Sequence, residues 1–164
     1  MSKHKGNVVD PWSVLDAQGA DAVRWYFYTV SAPWLPSRFY EEAVSESQRK
    51  FMGTLWNTYA FYVLYANIDK FSFKEAEIPV AQRPEIDRWI LSELNSLIKL
   101  VDECYDDYEP TKATRAIQTF VDEHLSNWYV RLCRRRFWKG DYSADKIAAY
   151  QTLYRCLEVV AQLM

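Results

Sequence analysis

The sequence predicts a mainly α-helical fold: a helical bundle preceded by a small, loop-rich region of mixed α/β structure. Three observations carry this. Apolar residues recur at three- and four-residue steps through most of the chain. Only 4 Gly and 6 Pro interrupt 164 residues. Several prolines stand where a helix can begin, because the first turn does not use the N–H that proline lacks. A content of 49% hydrophobic and 16% aromatic residues, with 7 Trp and 12 Tyr, excludes a disordered chain and suffices for a buried core in one or two domains.

The elements follow in order. Asp10 caps a short helix begun by Pro11, and Gly19 ends it. Residues 20–31 form a second helix dense in aromatics (Trp25, Tyr26, Phe27, Tyr28), broken by Pro33 and Pro36. The run 37–42 is short and reads as extended. Residues 43–68 form a long helix with Phe51, Leu55, Tyr59, Tyr62 and Ala66 on its apolar face. Residues 69–83 are polar and read as a linker. Pro84 begins a helix striped by Ile86, Ile90, Leu94, Leu97, Val101 and Cys104. Pro110 begins another, with Ile117, Val121, Leu125, Trp128 and Leu132 as its stripe and Gly140 as its stop. Ser143 caps the last helix, in which Ile147, Tyr150, Leu153, Tyr154, Leu157 and Val160 face one way. The division is therefore residues 1–42 as the compact first region and residues 43–164 as the bundle. The apolar ending at Leu163 and Met164, with no capping signal, reads as a bundle cut short at its C-terminus.

Net charge is −2, so the chain as a whole is no basic nucleic-acid binder. Charge is unevenly placed. Asp102, Glu103, Asp106, Asp107 and Glu109 cluster within 102–109, whereas 124–140 holds Arg131, Arg134, Arg135, Arg136 and Lys139 and no acid. Cys104, Cys133 and Cys156 are odd in number and widely spaced, which fits reduced thiols in a cytoplasmic protein rather than a disulfide or zinc framework. His4 and His124 are the only histidines, which speaks against a histidine-based catalytic centre and against a bound metal. No apolar run reaches the length of a membrane span, and no signal peptide follows Met1.

Two stretches point to chemistry. The opening residues Met1–Ser2–Lys3–His4–Lys5–Gly6–Asn7 make a cationic loop ahead of a helix start, suited to a triphosphate whose charge rises during reaction. Short lysine runs are more often solvated surface. The segment from Asn127 to Lys139 combines guanidiniums with rings. On a helix, Asn127, Arg131, Arg134 and Trp138 line one shoulder; Trp128, Leu132 and Arg135 lie nearer the apolar stripe; Arg136 and Tyr129 fall on the opposite shoulder. Cations beside flat rings suit single-stranded RNA, where phosphates meet arginine and splayed bases stack. The alternative is structural: rings in the core and arginines paired with the acids of 102–109.

The literal strings go further. Met1 to Asn7 resembles the KMSKS signature loop of class I aminoacyl-tRNA synthetases, without the leading Lys of that loop. Leu125–Ser126–Asn127–Trp128–Tyr129–Val130–Arg131, followed by Arg134–Arg135–Arg136–Phe137–Trp138, resembles the anticodon-binding helix of the isoleucyl-tRNA synthetases. Gly19–Ala20–Asp21–Ala22, Arg24–Trp25–Tyr26, Ser31–Ala32–Pro33–Trp34, Arg38–Phe39, Leu55–Trp56–Asn57 and Tyr65–Ala66–Asn67–Ile68–Asp69 fit the same family, so the likeness spans the whole chain. Leu132 and Cys133 depart from it: the family more often has Arg and then a small polar residue, so no RNA contact carries over to those two positions.

The resemblance implies a segment of a larger ligase, cut at the signature loop. The parent activates isoleucine with ATP and magnesium and transfers it to isoleucine tRNA, acting as a cytoplasmic monomer that needs no membrane. The segment by itself is expected to be inactive and to hold no metal. Lys3 would be catalytic, with Ser2, Lys3, His4 and Lys5 at ATP. Asn127, Arg131, Arg134, Arg135, Arg136, Trp138 and Lys139 would meet tRNA, and the bundle would be a class Ia anticodon-binding domain behind a stem-contact region. A valyl-tRNA synthetase segment and a non-enzymatic helical RNA-binding module are the alternatives; Arg24–Trp25–Tyr26 and Tyr65–Ala66–Asn67–Ile68–Asp69 speak against the valyl enzyme.

Overall fold

Local chemistry sets the helix starts. The Asp10 carboxylate accepts the backbone N–H of Trp12 at 3.1 Å, and Pro11 occupies the first turn. The structure, a computed structural model, describes residues 9–37 and 39–164; Ser2, Lys3, His4, Lys5 and Arg38 lie outside the described residues. Helix α1 spans Pro11–Gln18 and α2 spans Ala20–Val30. Gly19 joins them at φ 83°, a left-handed conformation costly for other residues, and its N–H donates to the Leu15 carbonyl at 2.9 Å.

Helix α3 (Glu41–Ser47) runs through a wide π-type turn at Gln48–Met52 into α4 (Gly53–Asp69), with right-handed helical backbone at each junction. The long helix expected over 43–68 is thus present, widened once. Helix α5 spans Glu85–Asp106. Next come α6 (Pro110–Thr119), an eleven-residue π-type stretch at Phe120–Val130, and α7 (Arg131–Trp138), again without a break. Helix α8 spans Ala144–Leu163, and the Ser143 side chain accepts the Lys146 N–H at 3.4 Å.

Two expectations change. The first region contains no strand among the described residues. Tyr40 has extended backbone (φ −151°, ψ 145°) but pairs with nothing as a ladder, so the described part of the region is α1, α2 and loop. Nor is the polar stretch between α4 and α5 a free linker. The Ile78 N–H donates to Gln151 at 2.9 Å, and the Gln151 amide donates to the Ala76 carbonyl at 3.1 Å. Arg83, buried, donates to the Ile78 carbonyl at 2.9 Å and to the Thr152 hydroxyl at 3.1 Å. Phe71 stacks on Tyr150 with centroids 4.9 Å apart. These bonds strap the segment to α8.

The main core gathers Ile90, Leu94, Leu97 and Val101 of α5, Ile117, Val121, Leu125, Tyr129, Cys133 and Phe137 along α6–α7, and Tyr150, Leu153, Cys156 and Val160 of α8. A smaller core of Val14, Ala22, Tyr26 and Val44 holds α1, α2 and α3 together. Trp25 joins α2 to the main core by stacking on Phe51 at 4.1 Å, with the rings 8° from parallel. The C-terminus of α2 is tied to α6 as well. Thr111 and Thr114 donate to the Ser31 and Tyr28 carbonyls at 3.0 and 3.1 Å, and Arg115 donates to Thr29 and Val30, both at 2.9 Å. A cation and hydroxyls there satisfy carbonyls that a helix end leaves unpaired.

The π-type stretch resets the register of the α6–α7 helix. At 3.6 residues per turn, a four-residue step drifts about 40° around an α-helix. The wider turn winds less per residue and reverses that drift, so burial continues at Leu125, Tyr129, Cys133 and Phe137. Trp128 and Leu132, expected in the stripe, are 55% and 56% exposed. Urea unfolding reads this register directly: Leu125→Ala should destabilise by about 2–5 kcal/mol, whereas Leu132→Ala should stay within about 0.5 kcal/mol of the parent.

Candidate nucleic-acid interface

Helix α5 and the α6–α7 helix pack as an antiparallel hairpin about the loop at residues 107–109, so their far ends bring Asp87 beside Tyr129 and Arg136. Asp87 lies in the first turn of α5 and is fully buried. Its Oδ1 accepts the Tyr129 hydroxyl at 2.8 Å and one Arg136 nitrogen at 2.6 Å; its Oδ2 accepts the other terminal nitrogen at 2.9 Å. Arg136 also donates to the Asp145 carboxylate at 3.0 Å and to the Asp145 carbonyl at 2.9 Å, which brings in the start of α8. Burial disfavours the Arg136 charge, but the hydrogen bonds and charge of Asp87 outweigh it and hold the guanidinium protonated more firmly than in water. Burial, followed by the charge of Asp87, pushes the Tyr129 phenol well above its usual range, so it stays a donor.

Arg136, one of the expected RNA contacts, is held inside the protein by this geometry. Arg136 is only 17% exposed along its side chain and is committed to two carboxylates inside the protein. The other candidates stand on the outer face. Asn127, Arg131, Arg134, Arg135, Trp138 and Lys139 are all exposed, and none of these cations forms an ion pair among the described residues. The pairing with 102–109 that the structural alternative required is absent there, and the topology explains why. The acids lie at the loop end of a hairpin whose α5 arm, 22 residues, is about 33 Å long, and the arginines lie at the other end. Cys133 is buried and its thiol pKa raised, chiefly by desolvation; burial likewise pushes Cys156 up to about 12. Neither is a reactive thiol.

Two aromatic residues join this face that the helical wheel did not place there. Trp128 is exposed by the π-type register, and its ring meets Trp89 of α5 edge-on, with centroids 6.4 Å apart. Trp89 contacts His124 in turn at 5.9 Å, and His124 Nδ1 lies 3.6 Å from Glu93. The sequence signal for Asp87 was a carboxylate on the apolar stripe, three residues before Ile90. Trp128 gave no such signal, because a uniform 3.6-residue period puts it inside. The outer face thus offers unpaired guanidiniums alternating with flat rings. That arrangement can bind phosphate and stack bases; it holds no nucleophile–base pair. Among the described residues no group of three or more His, Cys, Asp or Glu side chains is placed to hold a metal ion. No helix among them is long and apolar enough to cross a membrane.

Breaking the Asp87 knot from one side should cost far more than removing it whole. Asp87→Ala leaves Arg136 and the Tyr129 hydroxyl facing a buried void and should lower unfolding stability by about 3–5 kcal/mol, whereas Asp87→Leu with Arg136→Met and Tyr129→Phe, which strands no buried polar partner, should recover most of that loss. Chemical denaturation of the single and triple variants compares the two.

Comparison with known proteins agrees with this geometry. Residues 87–164 match the family model described as the anticodon-binding domain of tRNA ligase. Over all 164 residues the chain is 58% identical to an isoleucine–tRNA ligase of Bacteroides thetaiotaomicron, covering 14% of that protein. It is 63% identical over 163 residues to the Cytophaga hutchinsonii enzyme of the same name and 60% identical over 157 residues to that of Clostridium kluyveri, covering 15% of each. The chain therefore spans only about one seventh of the length of these relatives, 14% to 15%.

Proposed function

The chain belongs, as a segment, to the isoleucine–tRNA ligase family, and from that premise we propose that the parent enzyme joins isoleucine to isoleucine tRNA at the expense of ATP. Within it, residues 43–164 bind the anticodon arm and residues 1–42 carry the ATP loop and the contact to the inner side of the tRNA. The isoleucine enzyme is favoured over the valine enzyme by the relatives named above. The observation that carries the RNA reading is the outer face of α7, with Arg131, Arg134, Arg135, Trp138 and Lys139 exposed inside the segment matched to the anticodon-binding domain.

The chain's own residues would act as follows. Arg131, Arg134, Arg135 and Lys139 neutralise phosphates; counterion release then makes affinity fall with salt. Trp138 offers a ring on which an unpaired anticodon-loop base stacks, and Asn127 supplies an amide for a base edge. Asp87 and Arg136 hold α7 at a fixed angle without touching RNA. In the signature loop, Lys3 aligns with the lysine that meets the triphosphate, and Ser2, His4 and Lys5 shape the loop. Lys3 stabilises negative charge that grows on the α-phosphate and the leaving pyrophosphate, which is the transition state rather than the bound substrate. Magnesium would accompany ATP and help to neutralise its phosphates. The parent works as a cytoplasmic monomer, and the 164-residue chain, holding one phosphate-binding element, does not form the adenylate unaided.

Two variants of the full-length parent separate these roles. Arg134→Ala with Trp138→Ala should weaken binding of isoleucine tRNA, with Trp138 alone contributing about 1–3 kcal/mol. The salt slope should fall by about 0.7 for the lost arginine, while isoleucine-dependent pyrophosphate exchange without tRNA stays at the parental rate. Unchanged tRNA affinity in a folded variant would reduce the face to a packing feature. Lys3→Ala should do the opposite: slow adenylate formation by about 2–4 kcal/mol of barrier, with isoleucine binding little changed. Rapid-quench measurement of adenylate reads that arm, and an unaltered rate would remove Lys3 from the chemistry.

A further inference from the structure

Burial at Leu125, Tyr129, Cys133 and Phe137 fixes how the other side chains of the α6–α7 helix are arranged around its axis. Asn127, Arg131, Arg135 and Lys139 fall opposite the core and make the outermost line. Trp128 and Leu132 fall to one side of that line with His124 and Arg136. This side faces α5, because Arg136 meets Asp87 while Trp128 and His124 meet Trp89. Arg134 and Trp138, both exposed, fall to the other side. Trp128 is 55% exposed and its ring stands at 62° to that of Trp89, so the two make an open corner between the helices. Trp89 packs against the main core, which fixes the corner in place.

Charge differs across this corner. On the α7 side, Asn127 and Arg131 lie next to Trp128, and neither side chain has a partner among the described residues. On the α5 side, Glu85 and Glu93 stand four residues before and after Trp89, on the same face of the helix, and no Lys or Arg stands at that spacing. Glu93 lies 3.6 Å from His124 Nδ1. A nucleotide has a charged backbone and an apolar ring face. Here the phosphate is drawn to Arg131 and repelled by the carboxylates, while the ring can stack on tryptophan. Helix α4 gives the contrast. Trp56, Tyr59, Leu64 and Ile68 are exposed on it, but its one charged side chain, Asp69, is bound by Lys146 and Tyr150. Rings without cations beside them give a phosphate chain nothing to hold.

We propose that Trp128 and Trp89 form a nucleobase site for one unpaired base of the anticodon arm. The base points towards α5 while its phosphates follow Asn127, Arg131 and Arg135. Trp138 lies about 15 Å further along the helix axis, across the line of cations, and so stacks a different base. This deepens the RNA reading above and rests on it.

A cycle of protein and RNA changes tests the site, using the full-length parent and isoleucine tRNA made abasic at each unpaired anticodon-loop position in turn. Trp128→Ala should lower tRNA affinity by about fivefold or more, with the midpoint of urea unfolding unchanged. Trp128→Phe, which keeps a ring, should stay within about twofold of the parent. The salt slope should be the same in all three, because no phosphate contact is lost. One abasic position should weaken binding to the parent but not to Trp128→Ala. A different position should show that coupling with Trp138→Ala. Parental affinity in Trp128→Ala, a loss coupled to no base, or one base coupled to both tryptophans overturns the site. Arg134→Ala with Trp138→Ala separates the two possible failures: weakened binding there keeps the RNA face while the corner falls, and parental binding removes both.

Discussion

One buried carboxylate determines how the basic face is presented. Asp87 sits in the first turn of α5, where the helix dipole favours negative charge, and it accepts three short hydrogen bonds from the α6–α7 helix. Through Arg136 it also reaches Asp145 at the start of α8. An ion pair withdrawn from water adds little net stability compared with apolar packing, because desolvation offsets attraction. Its value lies in geometry. A bidentate guanidinium allows one rotation and one translation of α7 against its neighbours, whereas Leu, Val and Cys contacts tolerate a range. The knot takes one arginine out of the basic run and thereby sets the direction in which the others face. Were α7 turned to release Arg136, Cys133 and Phe137 would lose burial.

Most of the fold was legible because its signals are local. Asp10, Pro11, Gly19, Pro110, Gly140 and Ser143 each act within a few residues of themselves, by a capping side chain or by their own backbone, and they bound helices as read from the sequence. What failed was non-local. The segment between α4 and α5 looks like a linker by composition, since Gln151, Thr152 and Tyr150, which pin it, lie some seventy residues away. The expected extended run 37–42 has no partner strand among the described residues, and its last two residues begin α3 instead; an isolated strand leaves its backbone unpaired. The π-type stretch is a third kind of miss. Burial every four residues from Leu125 to Phe137 is in the sequence, but a fixed 3.6-residue wheel reads it as drift and selects Trp128 and Leu132 instead.

The basic face was legible as composition but not as geometry. An acid-free run of cations with rings is visible in the string; which members are free is decided by Asp87, whose partners stand 42 and 49 residues away. The same topology keeps the acids of 102–109 at the opposite end of the hairpin. That separation leaves the exposed arginines of 131–135 without an acidic partner from that run, although the net charge is −2. Unpaired cations gathered on one patch attract a polyanion even where the total charge is negative.

The two unpartnered surfaces differ in what they ask of a ligand. The face on α7 keeps its cations solvated and unpaired; it tolerates water and releases ions when a polyanion arrives, and so can be made and unmade at each turnover. The face on α4 has no charge to solvate, and its rings gain from leaving water once and staying out of it. A reversible partner would have to strip and rewet that area in every cycle. Exposure alone therefore does not mark a recognition site. Its charge decides: the polar, cationic face suits the partner that comes and goes, and the apolar face suits the one that stays.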